Sequence, residues 1–151
     1  MNRVWVYQAD RFLTESEVSS LTRDLEDFVR SWTAHGSVLA GQVKVVDDLF
    51  VILEVDERQA GVTGCSIDKS VHFLQSLGQK YNIDFFNRLK VSYRNSKGEV
   101  SLVDRNEFED LIRIGEVQGE TIVFNNLIQN SEELTSNWQI AFKDSWHSKV
   151  F

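Results

Sequence analysis

Two β-rich segments follow each other with almost no connection, and this adjacency constrains the fold more than any other feature. They cover residues 37–46 and 49–56 and are joined at Asp47-Asp48. A connection this short predicts an antiparallel hairpin, because a parallel pair needs a long crossover between its strands. The second segment contains LFVILEV, which is apolar on both faces, so we expect it to lie centrally in the sheet.

The segments around this hairpin predict the remaining elements of the core. Residues 3–8 alternate like a strand. Thr14-x-x-Glu17 forms a capping box that opens an amphipathic helix, and His35-Gly36 is predicted to end it. A second helix is expected over residues 66–80. Two further strands are expected over residues 89–93 and 99–103, connected by a turn at residues 95–98.

The order strand, helix, strand, strand, helix, strand is that of a ferredoxin-like split βαβ core. We therefore predict an α+β fold, with a mainly antiparallel sheet and helices on one face. An extra hairpin, a third helix capped by Asp104 or Asn106, and a C-terminal extension would complete it. A doubly wound parallel sheet is the weaker alternative, because adjacent strands lack crossover helices. No linker or repeat divides residues 1–151, so one domain is expected.

The conformation of residues 125–151 stays open at this stage. Residues 131–136 fit a helical turn. Trp138, Ile140 and Phe142 alternate like a strand, whereas Trp138, Phe142 and Trp146 are equally compatible with a helix.

Composition narrows the classes of function. The net charge is −7 and the basic residues are scattered, which argues against nucleic-acid binding. No apolar run approaches the ~18–20 residues of a membrane span, and residues 1–12 lack the apolar stretch of a secretory signal. One cysteine cannot form an intrachain disulfide, which is typical of a reducing compartment. We expect a cytoplasmic protein.

The most distinctive candidate site is the loop that leads into the second helix. Its sequence, GVTGCSIDKS, places the single cysteine, Cys65, at the helix entrance. Unpaired N–H groups and the helix dipole favour a thiolate or a bound anion there. Candidate ligand-binding residues are Gly64, Cys65, Ser66 and Lys69, and Cys65 is also a candidate catalytic nucleophile. The alternative is that Cys65 is a small packing residue.

Histidines and the aromatic C-terminal tail provide further candidates. His35 is a candidate ligand-binding residue, and Trp146 and His147 would close a pocket over the loop. The tail could instead cover the sheet or form an interaction surface. None of the histidines shows metal-ligand spacing to another histidine or to Cys65, so we expect no metal site and no cofactor.

The residues of this loop do not fit a nucleotide-binding site. A phosphate-binding P-loop needs the pattern G-x-x-x-x-G-K-[ST]. Lys69-Ser70 would supply the last pair, but Thr63 and Asp68 stand where the glycines belong. A carboxylate in that position would repel phosphate.

Four segments together resemble a family of short bacterial proteins that carry the automatic name "ABC transporter ATPase". They are WTAHG (32–36), GVTGCSIDKSVHF (61–73), TIVFNNL (121–127) and FKDSWHSKVF (142–151). The resemblance covers essentially the whole chain and implies no established activity. The chain has no Walker A loop and no LSGGQ-like segment, so it departs from what that name describes.

We therefore expect a cytoplasmic binding module for a small anionic ligand or a partner protein, and no ATPase activity. One alternative is a thiol-dependent enzyme or redox sensor that uses Cys65. Another is a structural protein that acts through its aromatic tail, with a homodimer as one form of it.

Overall fold

The structure, a computed structural model, describes all residues from 1 to 151. Its strands form three antiparallel sheets. The strands are β1 (Arg3–Gln8), β2 (Thr33–Ala34), β3 (Ser37–Val38), β4 (Ala40–Val46), β5 (Phe50–Asp56), β6 (Lys90–Arg94), β7 (Val100–Asp104), β8 (Ile122–Phe124) and β9 (Gln139–Ala141). The helices are α1 (Glu15–Ser31), α2 (Gly64–Tyr81), α3 (Arg105–Arg113), α4 (Ser131–Ser136) and α5 (His147–Val150).

The first sheet has the strand order β1-β5-β4, and every pair in it is antiparallel. Since α1 connects β1 to β4 and β5 lies between those two strands, the predicted split βαβ unit is present. The central position of β5 is confirmed as well. The predicted class, a mainly antiparallel α+β fold, is confirmed.

A second sheet, with the order β7-β6-β8-β9, takes up the later strands. In a ferredoxin-like sheet the strand after α2 would pair with β1, but here that strand, β6, belongs to the second sheet. The edge of β1 receives a short contact from the later chain instead. Val4 N–H donates to the carbonyl of Gln129, and Ser131 N–H donates to the carbonyl of Asn2, each at 3.0 Å.

The first sheet separates two layers of packing because its side chains alternate between two faces. On one face lie α1 and α2, and Trp5 meets Trp32 there at 6.0 Å between ring centroids. On the other face the ring of Phe50 lies 4.8 Å from that of Phe124 in β8 and 5.0 Å from that of Trp138, which precedes β9, both measured between ring centroids. The predicted placement of helices on one face therefore describes the first sheet.

A separate cluster of apolar side chains covers the outer side of the second sheet. Phe108 of α3 is fully buried there against Val91, Tyr93 and Val123. Phe151 closes the cluster, with its ring 4.9 Å from that of Phe108. The tail of the chain is thus part of the packed structure.

The start of α1 is confirmed, whereas its predicted end at His35-Gly36 is wrong. Thr14 and Glu17 form the reciprocal capping box. The helix ends at Ser31, and residues 33–38 form the β2–β3 hairpin. His35 and Gly36 have φ values of 51° and 78° at the tip of that hairpin. Glycine allows a helix end and a tight turn alike, and here it serves the turn.

The open question about residues 125–151 is answered by four short elements. Residues 131–136 form α4, and Gln139–Ala141 form β9, so the strand alternative holds around Ile140. A 3-10 turn at Phe142–Asp144 then leads to α5. None of the five helices combines the length and the apolar character needed to cross a bilayer.

Candidate functional site

The predicted loop places its residues at the first turn of α2. Gly64 and Cys65 are exposed. Ser66 is fully buried, and its hydroxyl is used within the helix cap. Ser66 Oγ accepts from Thr63 N–H at 2.8 Å, and Thr63 Oγ1 accepts from Ser66 N–H at 3.1 Å. The hydroxyl of Ser66 therefore stabilises the start of α2 and faces no solvent.

The β2–β3 hairpin lies beside this loop. Lys69 Nζ donates to Thr33 Oγ1 at 3.4 Å, a long contact, and His35 is exposed at the tip of the hairpin. The carboxylate of Glu57 also lies at the loop, where it accepts from Val62 N–H at 3.0 Å. The structure thus places a carboxylate at the loop that leads to Cys65 and Lys69, and its negative charge opposes a bound anion there.

Trp146 and His147 lie away from this loop, in the cluster around Phe108. His147 is 2% exposed, and its ring stacks on that of Trp146 at 3.8 Å. Its Nδ1 and the indole Nε1 of Trp146 have no hydrogen-bond partner. Burial lowers the pKa of His147 to about 4, because the apolar surroundings disfavour the charged ring. The structure does not bring these two residues to Cys65.

A cleft of about 460 Å³ lies at the other end of α2, near Gly78 and Phe86. Two carboxylates line it, and both hold the local turn. Asp10 Oδ1 accepts from Asp84 N–H at 2.9 Å, and Asp84 Oδ1 accepts from Phe86 N–H at 2.8 Å. No group of three or more His, Cys, Asp or Glu side chains is placed to hold a metal ion.

The open edge of the first sheet offers a different arrangement, since β4 has a neighbour on one side only. Ala9 N–H donates to Leu49 O at 2.8 Å, just beyond the β1–β5 ladder. Odd-numbered residues of β5 therefore bond to β1, and even-numbered residues bond to β4. In β4 the N–H and C=O groups of Gly41, Val43 and Val45 consequently point outward, where no strand pairs with them.

Helix α1 forms one wall of a groove along this edge. The groove has a volume of about 350 Å³ and is lined by Glu26, Val29 and Arg30 of α1 and by residues 41–44 of β4. The helix can approach because position 41 is glycine: a Cβ there would lie 3.0 Å from Cγ1 of Val29. We call this feature the β4 groove.

The β4 groove has an apolar floor and a charged rim. Val29 is buried and Val43 is half-buried. On the rim, Arg30 pairs with Asp27 one helical turn earlier. Lys44 is exposed and forms no ion pair. Glu26, which also lines the groove, is exposed and forms no ion pair either. The rim therefore carries one unpaired cation and one unpaired anion beside a row of free backbone groups.

Sequence reasoning placed a strand here and did not identify it as an open edge. One signal was available: β4 reads AGQVKVV, with Gln42 and Lys44 exposed, whereas β5 is almost entirely apolar. A lysine in an otherwise pairing-competent strand is typical of an edge.

The fold and the groove together define an α+β protein with three antiparallel sheets, in which the edge strand β4 of the split βαβ unit has a free outer side flanked by α1. Comparison of the chain with family models, with curated proteins and with solved structures finds no match. The resemblance to the short bacterial family stays a prediction.

Proposed function

We propose that this protein is a binding module that holds an extended segment of a partner protein along the open edge of β4. The observation that carries the proposal is the outward row of N–H and C=O groups at Gly41, Val43 and Val45. An extended peptide presents the complementary row of groups, and strand addition to a sheet edge is a recurrent mode of peptide recognition.

The helix beside the edge supports this function, because it turns an edge into a groove. A peptide added next to β4 would direct alternate side chains toward α1, over Val29 and Val43. Burial of those side chains adds affinity to the backbone hydrogen bonds. Edge strands that serve no pairing are commonly short or covered, whereas β4 is seven residues long and no strand pairs with its outer side.

The alternative ligand, a small anion at the loop before α2, has less support. The hydroxyl of Ser66 is committed to the helix cap, and the carboxylate of Glu57 lies at the same loop. Of the two ligands expected from the sequence, a small anion and a partner protein, we therefore propose the partner protein.

Residue-resolved amide hydrogen exchange tests the proposal. The probe is a set of octapeptides selected from a random phage-displayed library against the full chain. We expect the selected peptides to protect the amides of Val43 and Val45 from exchange, while the amide of Cys65 is unaffected. Failure of the library to enrich, or protection that maps elsewhere, would overturn the proposal.

A pair of variants at one position supplies the control. Val43→Pro removes an outward N–H, and we expect it to weaken peptide binding about tenfold, the effect of one lost hydrogen bond together with local strain. Val43→Thr changes the same side chain, keeps the N–H and should bind within about threefold of the native chain. Circular dichroism checks the fold of both. Should Val43→Pro fail to fold, the exchange experiment on the native chain still decides.

A further inference from the structure

We propose that the segment bound in the β4 groove carries an acidic residue opposite Lys44, with apolar residues on either side of it. This inference rests on the proposed function and adds the chemistry of the partner. The starting observation is that Lys44 is exposed without an ion pair in a strand whose outer side is open.

The pairing geometry decides how close a partner side chain comes to Lys44. The backbone groups of Lys44 point toward Ile52 of β5, so an added strand meets Lys44 at a non-hydrogen-bonded position. Side chains at such positions are the closest across a pair, with Cβ atoms ~4.5–5.5 Å apart. A carboxylate in the partner can therefore reach the ammonium group, and a second cation there is unfavourable.

Alternation along the strand fixes what lies next to that acidic residue. Lys44 points to the face away from α1, while Val43 and Val45 point toward the helix. The partner residues opposite Val43 and Val45 accordingly face α1 and meet the apolar floor of the groove. The recognised pattern is apolar, acidic, apolar over three successive residues.

Charge also argues against a second copy of this chain as the occupant. Antiparallel self-pairing centred on Val43 would place Lys44 opposite Gln42 of the other copy. Centring on Lys44 would oppose two lysines, and centring on Gln42 would place Lys44 opposite Ala40. None of these registers supplies a carboxylate, and the lysine pair is repulsive.

The overall charge limits how acidic the segment can be. The chain carries a net charge of −7, which repels a long acidic tract at a distance. A single carboxylate within an apolar segment can form an ion pair with Lys44, and its long-range repulsion by the negatively charged chain is small. We therefore infer an isolated Asp or Glu as the partner residue.

Three synthetic peptides test the inference. Each alternates Thr and Val over nine residues, and the central residue is Glu, Gln or Lys. With the native chain we expect the Glu peptide to bind about two- to fivefold more tightly than the Gln peptide, and the Lys peptide to bind least. Lys44→Glu should reverse the order of the Glu and Lys peptides. Lys69→Glu, which alters an exposed lysine outside the groove, should leave the order unchanged.

The outcomes separate this inference from the function on which it rests. Equal binding of the three peptides, with Val43 and Val45 protected from exchange, would overturn the acidic preference and keep strand addition. Absence of protection with every peptide would overturn both. Protection of Val43 and Val45 without peptide, together with a dimer in sedimentation, would identify a second copy as the occupant and overturn the inference.

Discussion

The indole Nε1 of Trp32 donates a hydrogen bond of 2.7 Å to the backbone carbonyl of Ser66. Trp32 caps the end of α1 and is 1% exposed, while Ser66 lies in the first turn of α2. The bond therefore joins the end of one helix to the beginning of the other within the buried interior. It also fixes α1, the helix that forms a wall of the β4 groove.

Replacement of Trp32 by Phe should lower the free energy of unfolding by about 1–3 kcal/mol, because the buried donor is lost and the ring shrinks. Urea denaturation measures the change. Trp5→Phe is the matched control, since Trp5 lies on the same face of the sheet and is only half-buried. Equal losses in the two variants would mean that the bond to Ser66 contributes nothing specific.

Gly78→Ala should destabilise the protein by about 1–3 kcal/mol. A Cβ at Gly78 would collide with the carbonyl oxygen of Ile83, and this backbone atom cannot move aside cheaply. Gly64→Ala is the control, because a Cβ there meets nothing within 4 Å. We expect it to change stability by less than about 1 kcal/mol. A Gly78→Ala variant as stable as the native chain in urea would contradict the close packing of α2.

The stability of the fold should fall as the pH decreases from about 6.5 toward 4. Burial lowers the pKa of His147 from 6.5 to about 4. In that window the unfolded chain binds a proton that the folded chain does not, so acid favours unfolding, by on the order of 3 kcal/mol when the window has been crossed. Urea midpoints measured from pH 4 to 7.5 reveal the slope.

Two variants test whether His147 causes the dependence of stability on pH. His147→Phe should flatten the profile between pH 4 and 6.5, because the buried titrating ring is gone. His72→Gln, at an exposed position, should keep the slope of the native chain. A native profile retained by His147→Phe would show that other groups cause the loss of stability in acid.

Cys65 should react with iodoacetamide in the folded protein at a rate within a few-fold of the unfolded chain, because the thiol is exposed. Mass spectrometry follows the alkylation. As a matched control, Ser66→Cys in a Cys65→Ser background moves the thiol to a fully buried position and should react only after denaturation. Protection of native Cys65 would instead support the packing role considered from the sequence.

Local chemistry made much of the fold predictable. The capping box of Thr14 and Glu17 fixes the beginning of α1, and Asp104 caps α3 through a bond to Glu107 N–H of 2.8 Å. Alternation and the short connection at Asp47-Asp48 fix the β4–β5 hairpin. Each of these signals lies within a few residues of the structure that it determines.

What the sequence left undecided depends on contacts between distant segments. The second sheet exists because β6 pairs with β8, through Tyr93 and Val123, and nothing near either residue indicates the other. The open edge of β4 is a property of the whole sheet, so it could not be read from β4 alone. For the same reason the sequence could not show that Cys65 is exposed at the start of α2 while His147 is buried beside Phe108.

The packing of Phe50 against Phe124 and Trp138 has a consequence for the order in which the chain emerges during synthesis. The strands of the first sheet all lie within residues 3–56, so they can pair early. Its second face, with Val4, Val6 and Phe50, stays uncovered until residues 124–138 have left the ribosome. Throughout that interval the nascent chain presents an apolar surface on which chaperones can act.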